Sequence, residues 1–170
     1  PIYDIQGVSV GLVPLSFLDL RADAAAIGMW AMSMVDAAGY FALPGYDSAF
    51  TEKELPGARA ASASGGFISL SARLQGEVPV FNDTLQLSST FQLEYWNVGS
   101  GSHYYNPRRD VVLARSDWLV KNNTTVTFKV RATATMSFQL CVQDDFTFVP
   151  KSNYVANVIG AFVSVPIRRT

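Results

Sequence analysis

The sequence predicts an all-β chain, a sandwich or a barrel. Three observations carry this. The stretch Trp118–Phe148 holds two apolar/polar alternations back to back: Val126, Phe128, Val130 and Ala132 on one parity, then Met136, Phe138, Leu140 and Val142. Thr84–Trp96 alternates more cleanly, with Leu85, Leu87, Phe91, Leu93 and Tyr95 set against Gln86, Ser88, Thr90, Gln92 and Glu94. Short runs of this kind are separated by Gly, Pro and Asn punctuation, and no repeat of about 20–50 residues is present. Successive side chains of a strand point to opposite faces, so a period of two marks a half-buried strand. About eight such strands with turns between them make a sandwich or barrel.

The elements are justified in order. Residues 1–12 read as an N-terminal arm, and a first strand is expected over Val13–Arg21, where Phe17, Leu18 and Leu20 put apolar groups on both parities. Ala24–Ala26 favours helix, but Trp30, Met32 and Met34 alternate with Ala31 and Ser33, so Ile27–Val35 is assigned to a strand and its Met/aromatic stripe to the core. Residues 36–66 are irregular, with Gly39, Pro44-Gly45, Pro56-Gly57 and Gly65-Gly66. Thr51 and Glu54 fit a capping box for a short helix over Glu52–Ala61, which Pro56 weakens. Phe67–Leu74 is the next strand. Gly76, Pro79 and Asn82-Asp83 mark a loop before Thr84–Trp96. Residues 97–109 form a surface loop by composition, and Asp110–Arg115 a short strand. The tail 151–170 holds Tyr154–Ile167, nearly all apolar or small. It suits a last strand buried on both faces or an arm laid against a neighbour.

A chain of 170 residues supports one domain, 1–170, with a substantial core. Hydrophobic residues are 49% and charged residues 16%. The low charge fraction points to surface held against a partner, or to a large β core under a Ser/Thr-rich exterior. A net charge of −1 gives the whole domain no pull toward nucleic acid or anionic lipid. Cys141 is the single cysteine, so no intrachain disulfide forms, which leans toward an intracellular setting. Sequons at Asn82, Asn122 and Asn123 matter only in a secreted protein. No apolar run is long enough for a membrane helix, no signal peptide is expected, and Pro1 suits a trimmed end or release from a precursor.

The residues point away from catalysis. The only histidine, His103, sits beside Ser100 and Ser102 with no feature marking a nucleophile or an orienting carboxylate, and is read as a loop residue. Asp144-Asp145 places adjacent carboxylates on opposite faces of a strand. They are read as solvent-facing strand breakers, with a calcium ligand at a subunit boundary as the alternative. Cys141 is read as packing. No phosphate loop, metal signature or other cofactor motif is present, so no cofactor is expected. Lys129 and Arg131 share one strand face and are the candidates for contact with a phosphate backbone. Binding there would be weak, salt-sensitive and sequence-independent.

Ser116-Asp117-Trp118, Thr124-Thr125, the strands TVTFKVRA and MSFQLCV, and Asp145-Phe146-Thr147-Phe148 resemble the end of the small coat protein of comoviruses. Upstream, Ala58-Arg59-Ala60-Ala61 and Gly66-Phe67-Ile68-Ser69-Leu70 look like that protein's helix and next strand. The similarity covers roughly residues 55–150 and lies in the order and spacing of elements. It implies a capsid protein of picorna-like plant viruses of the comovirus, nepovirus and cheravirus group: an eight-stranded antiparallel jelly roll, no enzymatic activity, assembly with sister subunits into an icosahedral shell around RNA, and location in the virion after assembly in host cytoplasm. It maps 67–74, 84–96 and 110–115 onto strands E, F and G, and the pair around 124–142 onto strands H and I. Those two would lie in opposite sheets, with Ala132–Thr135 crossing between them. Tyr104, Tyr105 and Arg108 in the 97–109 loop, and Tyr154 and Phe162 in the tail, are then the expected intersubunit contacts. A carbohydrate-binding sandwich is the rival reading, with Trp96, Tyr104 and Tyr105 as sugar-stacking residues.

Overall fold

A computed structural model describes residues 2–30, 40–43, 59–61, 63–99, 103–106, 109, 111–131, 137–151 and 154–164. All eleven elements among them are strands: β1 (Ile2–Leu15), β2 (Leu18–Trp30), β3 (Tyr40–Leu43), β4 (Arg59–Ala61), β5 (Ala63–Val80), β6 (Asp83–Val98), β7 (His103–Asn106), β8 (Val111–Ala114), β9 (Ser116–Arg131), β10 (Ser137–Val149) and β11 (Tyr154–Ser164). The all-β class expected from the alternation is observed. Of the expected helix over Glu52–Ala61, the end at Arg59–Ala61 is strand, and 52–58 lie outside the described residues.

The strands form two antiparallel sheets. A large sheet has the order β1-β2-β5-β6-β9-β10-β11, and a small one the order β4-β3-β7-β8. The large sheet is a meander in which sequence neighbours pair. It is interrupted twice, between β2 and β5 and between β6 and β9, and the strands from these two excursions pair with each other as β3 with β7. This corrects the expected placing of 124–132 and 136–142 in opposite sheets. Phe138 faces Val130 and Leu140 faces Phe128 across one ladder, so β9 and β10 are hairpin neighbours. Two alternating strands with a short link satisfy a hairpin register directly, and the jelly-roll separation of these strands is absent.

Four other expectations are corrected. The arm at 1–12 is β1, laddered to β2 from Ile2↔Trp30 to Leu15↔Leu18. The strand expected at Val13–Arg21 instead contains the Ser16-Phe17 turn. The expected Gly76/Pro79 loop is strand, continued to a two-residue turn at Phe81-Asn82. Pro79 is tolerated because β2 reaches only as far as Leu74 on β5, so beyond it that side of β5 has no ladder to lose a donor from. Asp144-Asp145 does not break its run; both residues lie inside β10.

Register divides the large sheet into two unlike faces. One carries Val8, Val10, Leu12, Leu20, Leu70, Leu93, Val120, Val126, Leu140 and Val163 in directly opposed rows. The other carries Arg21, Ser71, Gln92, Lys121, Asn123 and Thr125 over most of its length. The small sheet packs on one end of this second face, where the row residues turn apolar. Ile27, Phe67, Trp96, Val98, Leu119 and Val149 of the large sheet meet Tyr104, Val111 and Leu113 of the small one in a single core. Phe67 and Trp96 stack with ring centroids 4.4 Å apart, a contact contributing about 0.5–1.5 kcal/mol beyond area burial.

Candidate functional surfaces

The chemically richest point lies where the small sheet ends on the second face. Glu94, on β6, is fully buried. Arg109, from the turn between β7 and β8, donates through Nε to Oε2 at 3.0 Å and through Nη2 to Oε1. Trp96 Nε1 donates to Oε2 at 2.7 Å and Gln92 Nε2 to Oε1 at 2.6 Å. One guanidinium, through two N–H groups, and two neutral donors therefore saturate one carboxylate. A base needs an oxygen free to receive a proton; this one is fully committed, and the group ties the β7–β8 excursion to the large sheet. Lys121 lies in the next row, opposite Gln92. Burial pushes its ammonium below the ordinary lysine value of 10.5, and the Arg109 charge adds to this, while Glu94 and Asp145 act the other way.

The same face holds smaller polar sets. Asp145 accepts from Asn123 and, at 2.6 Å, from Gln143 Nε2. Asp117 is buried and caps the β8–β9 corner, accepting from the backbone N–H of Ala114 at 3.2 Å and of Trp118 at 2.8 Å. An open groove of about 560 Å³ runs past Arg21, Arg73, Ser88, Thr90 and Thr125. Arg21 there is paired with Asp23 at 2.8 Å.

The opposite face is the more unusual feature. Among the described residues nothing lies over its apolar side chains: Val8 is 72% exposed, Ile68 56%, Leu87 50% and Val163 64%. Its middle holds a polar belt, with Ser89 Oγ 3.2 Å from Asn122 Oδ1 and 2.9 Å from Thr124 Oγ1. Asp144 faces Thr124 across the ladder, and its Oδ1 is buried without a hydrogen bond among the described residues.

The residues singled out in the sequence fall in different places. Tyr104 is fully buried in the core, so it is neither an intersubunit contact nor a sugar platform, and fully buried Trp96 is excluded from stacking as well. Of the 97–109 segment, 97–98 end β6 and 103–106 are β7 rather than surface loop, which is why Tyr104 is internal. Tyr105 is a β7 residue, but its side chain, like Arg108, lies outside the described residues. Tyr154 is half-buried against the core, and Phe162 is 49% exposed on β11. The described part of the tail, Tyr154–Ser164, is thus a strand paired to β10 and largely exposed rather than buried on both faces. Lys129 is half-buried on the polar face, opposite Thr84 and Gln139, and Arg131 ends the same strand. His103 is half-buried, with Nδ1 lacking a partner among the described residues. Cys141 is buried, its Sγ 3.4 Å from Thr127 Oγ1. Among the described residues no three of His, Cys, Asp and Glu converge to hold a metal.

Sequence reasoning missed the Glu94–Arg109 pair. The alternation put Glu94 on a polar parity, and only the return of β7 and β8 over that face buries it. Comparison with protein-family models, curated proteins and solved structures finds no match.

Proposed function

We propose that this chain is a structural capsid (coat) protein subunit that assembles with sister subunits into a shell enclosing RNA. The observation that carries the reading is the uncovered apolar face. Six inter-strand spacings of about 4.8 Å and roughly eleven residues of strand give the whole face, its polar belt included, an area on the order of 1,000 Å². The largest apolar patch of an ordinary monomer is about 300–600 Å², and a standard interface uses about 800 Å² per partner. A low charge fraction supports the same reading. The polar belt around Asn122, Thr124 and Asp144 favours protein over lipid as the cover, since a carboxylate facing the bilayer midplane is costly.

The polar face sets Arg21, Arg73, Lys121 and Lys129 against Asp19, Asp23, Glu77 and Asp145, so it has little net attraction for a polyanion. RNA is then enclosed more than gripped, and Lys129 and Arg131 contribute weak, sequence-independent contacts. The jelly-roll connectivity is not needed for this reading, which rests on the surface and on the resemblance to picorna-like plant virus coat proteins. The test is to express the chain with its sister subunits. Isometric particles carrying nuclease-resistant RNA are expected in electron micrographs, and Val126→Glu on the apolar face, in the row next to the polar belt, should abolish them. A chain that stays monomeric at high concentration, alone and with its sisters, refutes the proposal.

A further inference from the structure

The large sheet ends in two edges, and they are protected very differently. An exposed edge strand is a template for pairing, and proteins blunt it with charge, proline, bulges or short length. β1 has such devices: Asp4 near one end, Pro14 near the other, and a register shift between Leu12 and Leu15. β11 has none of them. It is eleven residues long, carries no charged residue and no proline, and pairs with β10 without a bulge from Val149↔Tyr154 to Gln139↔Ser164. Val155, Val158, Ile159, Phe162 and Val163 on it are all exposed.

Resting on the reading of the chain as an assembling subunit, we infer that β11 is a self-association edge, pairing antiparallel with β11 of a second copy across a two-fold axis at Ile159. Strand direction selects this mode. Seven strands joined only by antiparallel ladders leave β1 and β11 running the same way. Joining β11 head to tail to the next copy's β1 would put a parallel pair into an antiparallel sheet, whereas a two-fold normal to the sheet keeps every ladder antiparallel.

The sequence of β11 fits its own reverse. Ile159 is its midpoint, and centring the axis there sets Val155 against Val163, Ala156 against Phe162, Asn157 against Ala161 and Val158 against Gly160. Three of the four pairs put a smaller residue opposite a larger one, and none opposes like charges, the arrangement that cross-strand neighbours require. A Cβ built on Gly160 meets nothing within 4 Å, so the space that the copy's Val158 would use is open. The two-fold also keeps like faces together, so the apolar faces of two copies become one continuous surface.

Cysteine crosslinking of the full chain tests the axis and the register together. Ile159→Cys would sit opposite itself, with Cβ atoms about 4.5–5.5 Å apart, and should oxidise to a disulfide-linked dimer. The wild-type chain, whose only cysteine is buried Cys141, should not. Val155→Cys alone should stay uncrosslinked and should join when mixed with Val163→Cys. Ile159→Lys places two ammonium groups across the axis and should raise the dimer dissociation constant at least about tenfold by sedimentation, with strand content by circular dichroism unchanged. Failure of Ile159→Cys to crosslink while the wild-type chain sediments as a larger species overturns the edge pairing and leaves assembly through the apolar face standing. Crosslinking of Val155→Cys alone overturns the register, and a monomer throughout overturns both readings.

Discussion

Glu94→Ala is the substitution with the largest calculable effect. The carboxylate is fully buried, and the Arg109 side chain that meets it is 16% exposed. Removing one partner of such a pair leaves an uncompensated charge in a poorly solvated place, a loss of about 3–5 kcal/mol. The Trp96 and Gln92 donors are stranded as well, although water entering the vacated volume offsets part of that cost. The expected loss is therefore about 4 kcal/mol, a large share of the roughly 5–15 kcal/mol by which a domain of this kind is stable. The double variant Glu94→Gln/Arg109→Met removes both charges and keeps an acceptor for Trp96, and should cost only about 1–2 kcal/mol, less than either single charge deletion. Urea unfolding followed by far-UV circular dichroism at one fixed protein concentration measures all of these. Fluorescence is the poorer probe, because Trp96 belongs to the network. A loss below about 1 kcal/mol for Glu94→Ala, or a double variant as unstable as the sum of the singles, would refute the buried-pair reasoning.

Three further outcomes are expected. Leu113→Ala, at a fully buried position facing Tyr104 in the β7–β8 ladder, should lower stability by about 2–5 kcal/mol in the same urea assay, because the core there cannot collapse fully into the space. Phe81→Gly should raise stability by about 0.5–1 kcal/mol: Phe81 is fully exposed and sits at φ 56°, where a β-carbon is strained and glycine is not. Lys121 has its folded-state pKa lowered by burial, so the unfolded chain binds its proton more tightly. Its unfavourable contribution is present at neutral pH and is relieved as pH rises from the lowered value toward 10.5. Stability of the wild-type chain relative to Lys121→Met should therefore rise over that alkaline window, and a flat difference across it would contradict the burial.

Local alternation was readable wherever the strand pleat alone decides it. Leu85–Tyr95, Val126–Val130 and Phe138–Val142 sit on the faces their parity assigns, because one apolar face is a property of a single strand. Pairing was not readable in the same way. Ala132–Thr135 is short enough for a hairpin and long enough for a crossing, and only the partner of Phe128 distinguishes them. The Ser16-Phe17 turn left a trace, since apolar residues on both parities between Leu15 and Leu20 are what a register reversal produces, but they also resemble a strand buried on both faces. Gly76 and Pro79 were misleading for a different reason. Punctuation residues break a strand flanked on both sides and are harmless where one flank is empty, and which flank is empty is a tertiary fact. Tyr104 and Glu94 fail together: a loop-like composition hid β7, and without β7 there is nothing to bury either residue.

The topology explains why so much apolar surface lies open. Meandering pairing joins four of the six neighbour pairs of the large sheet by direct turns or links, a low-cost route for loop closure, but it gives the sheet no second layer of its own. The two excursions supply one, and only at the end where β3 and β7 can meet. Their described strands are three or four residues long, against eleven to eighteen in the large sheet, so these strands span only part of its length. The core is confined to that end accordingly: twelve apolar residues are buried among the described residues, while twenty-five large ones are exposed. Sheets are stable as layers with an apolar face covered, so under the proposed subunit reading the open face would reach its full burial against a sister subunit, and folding and assembly free energies would then be parts of one quantity.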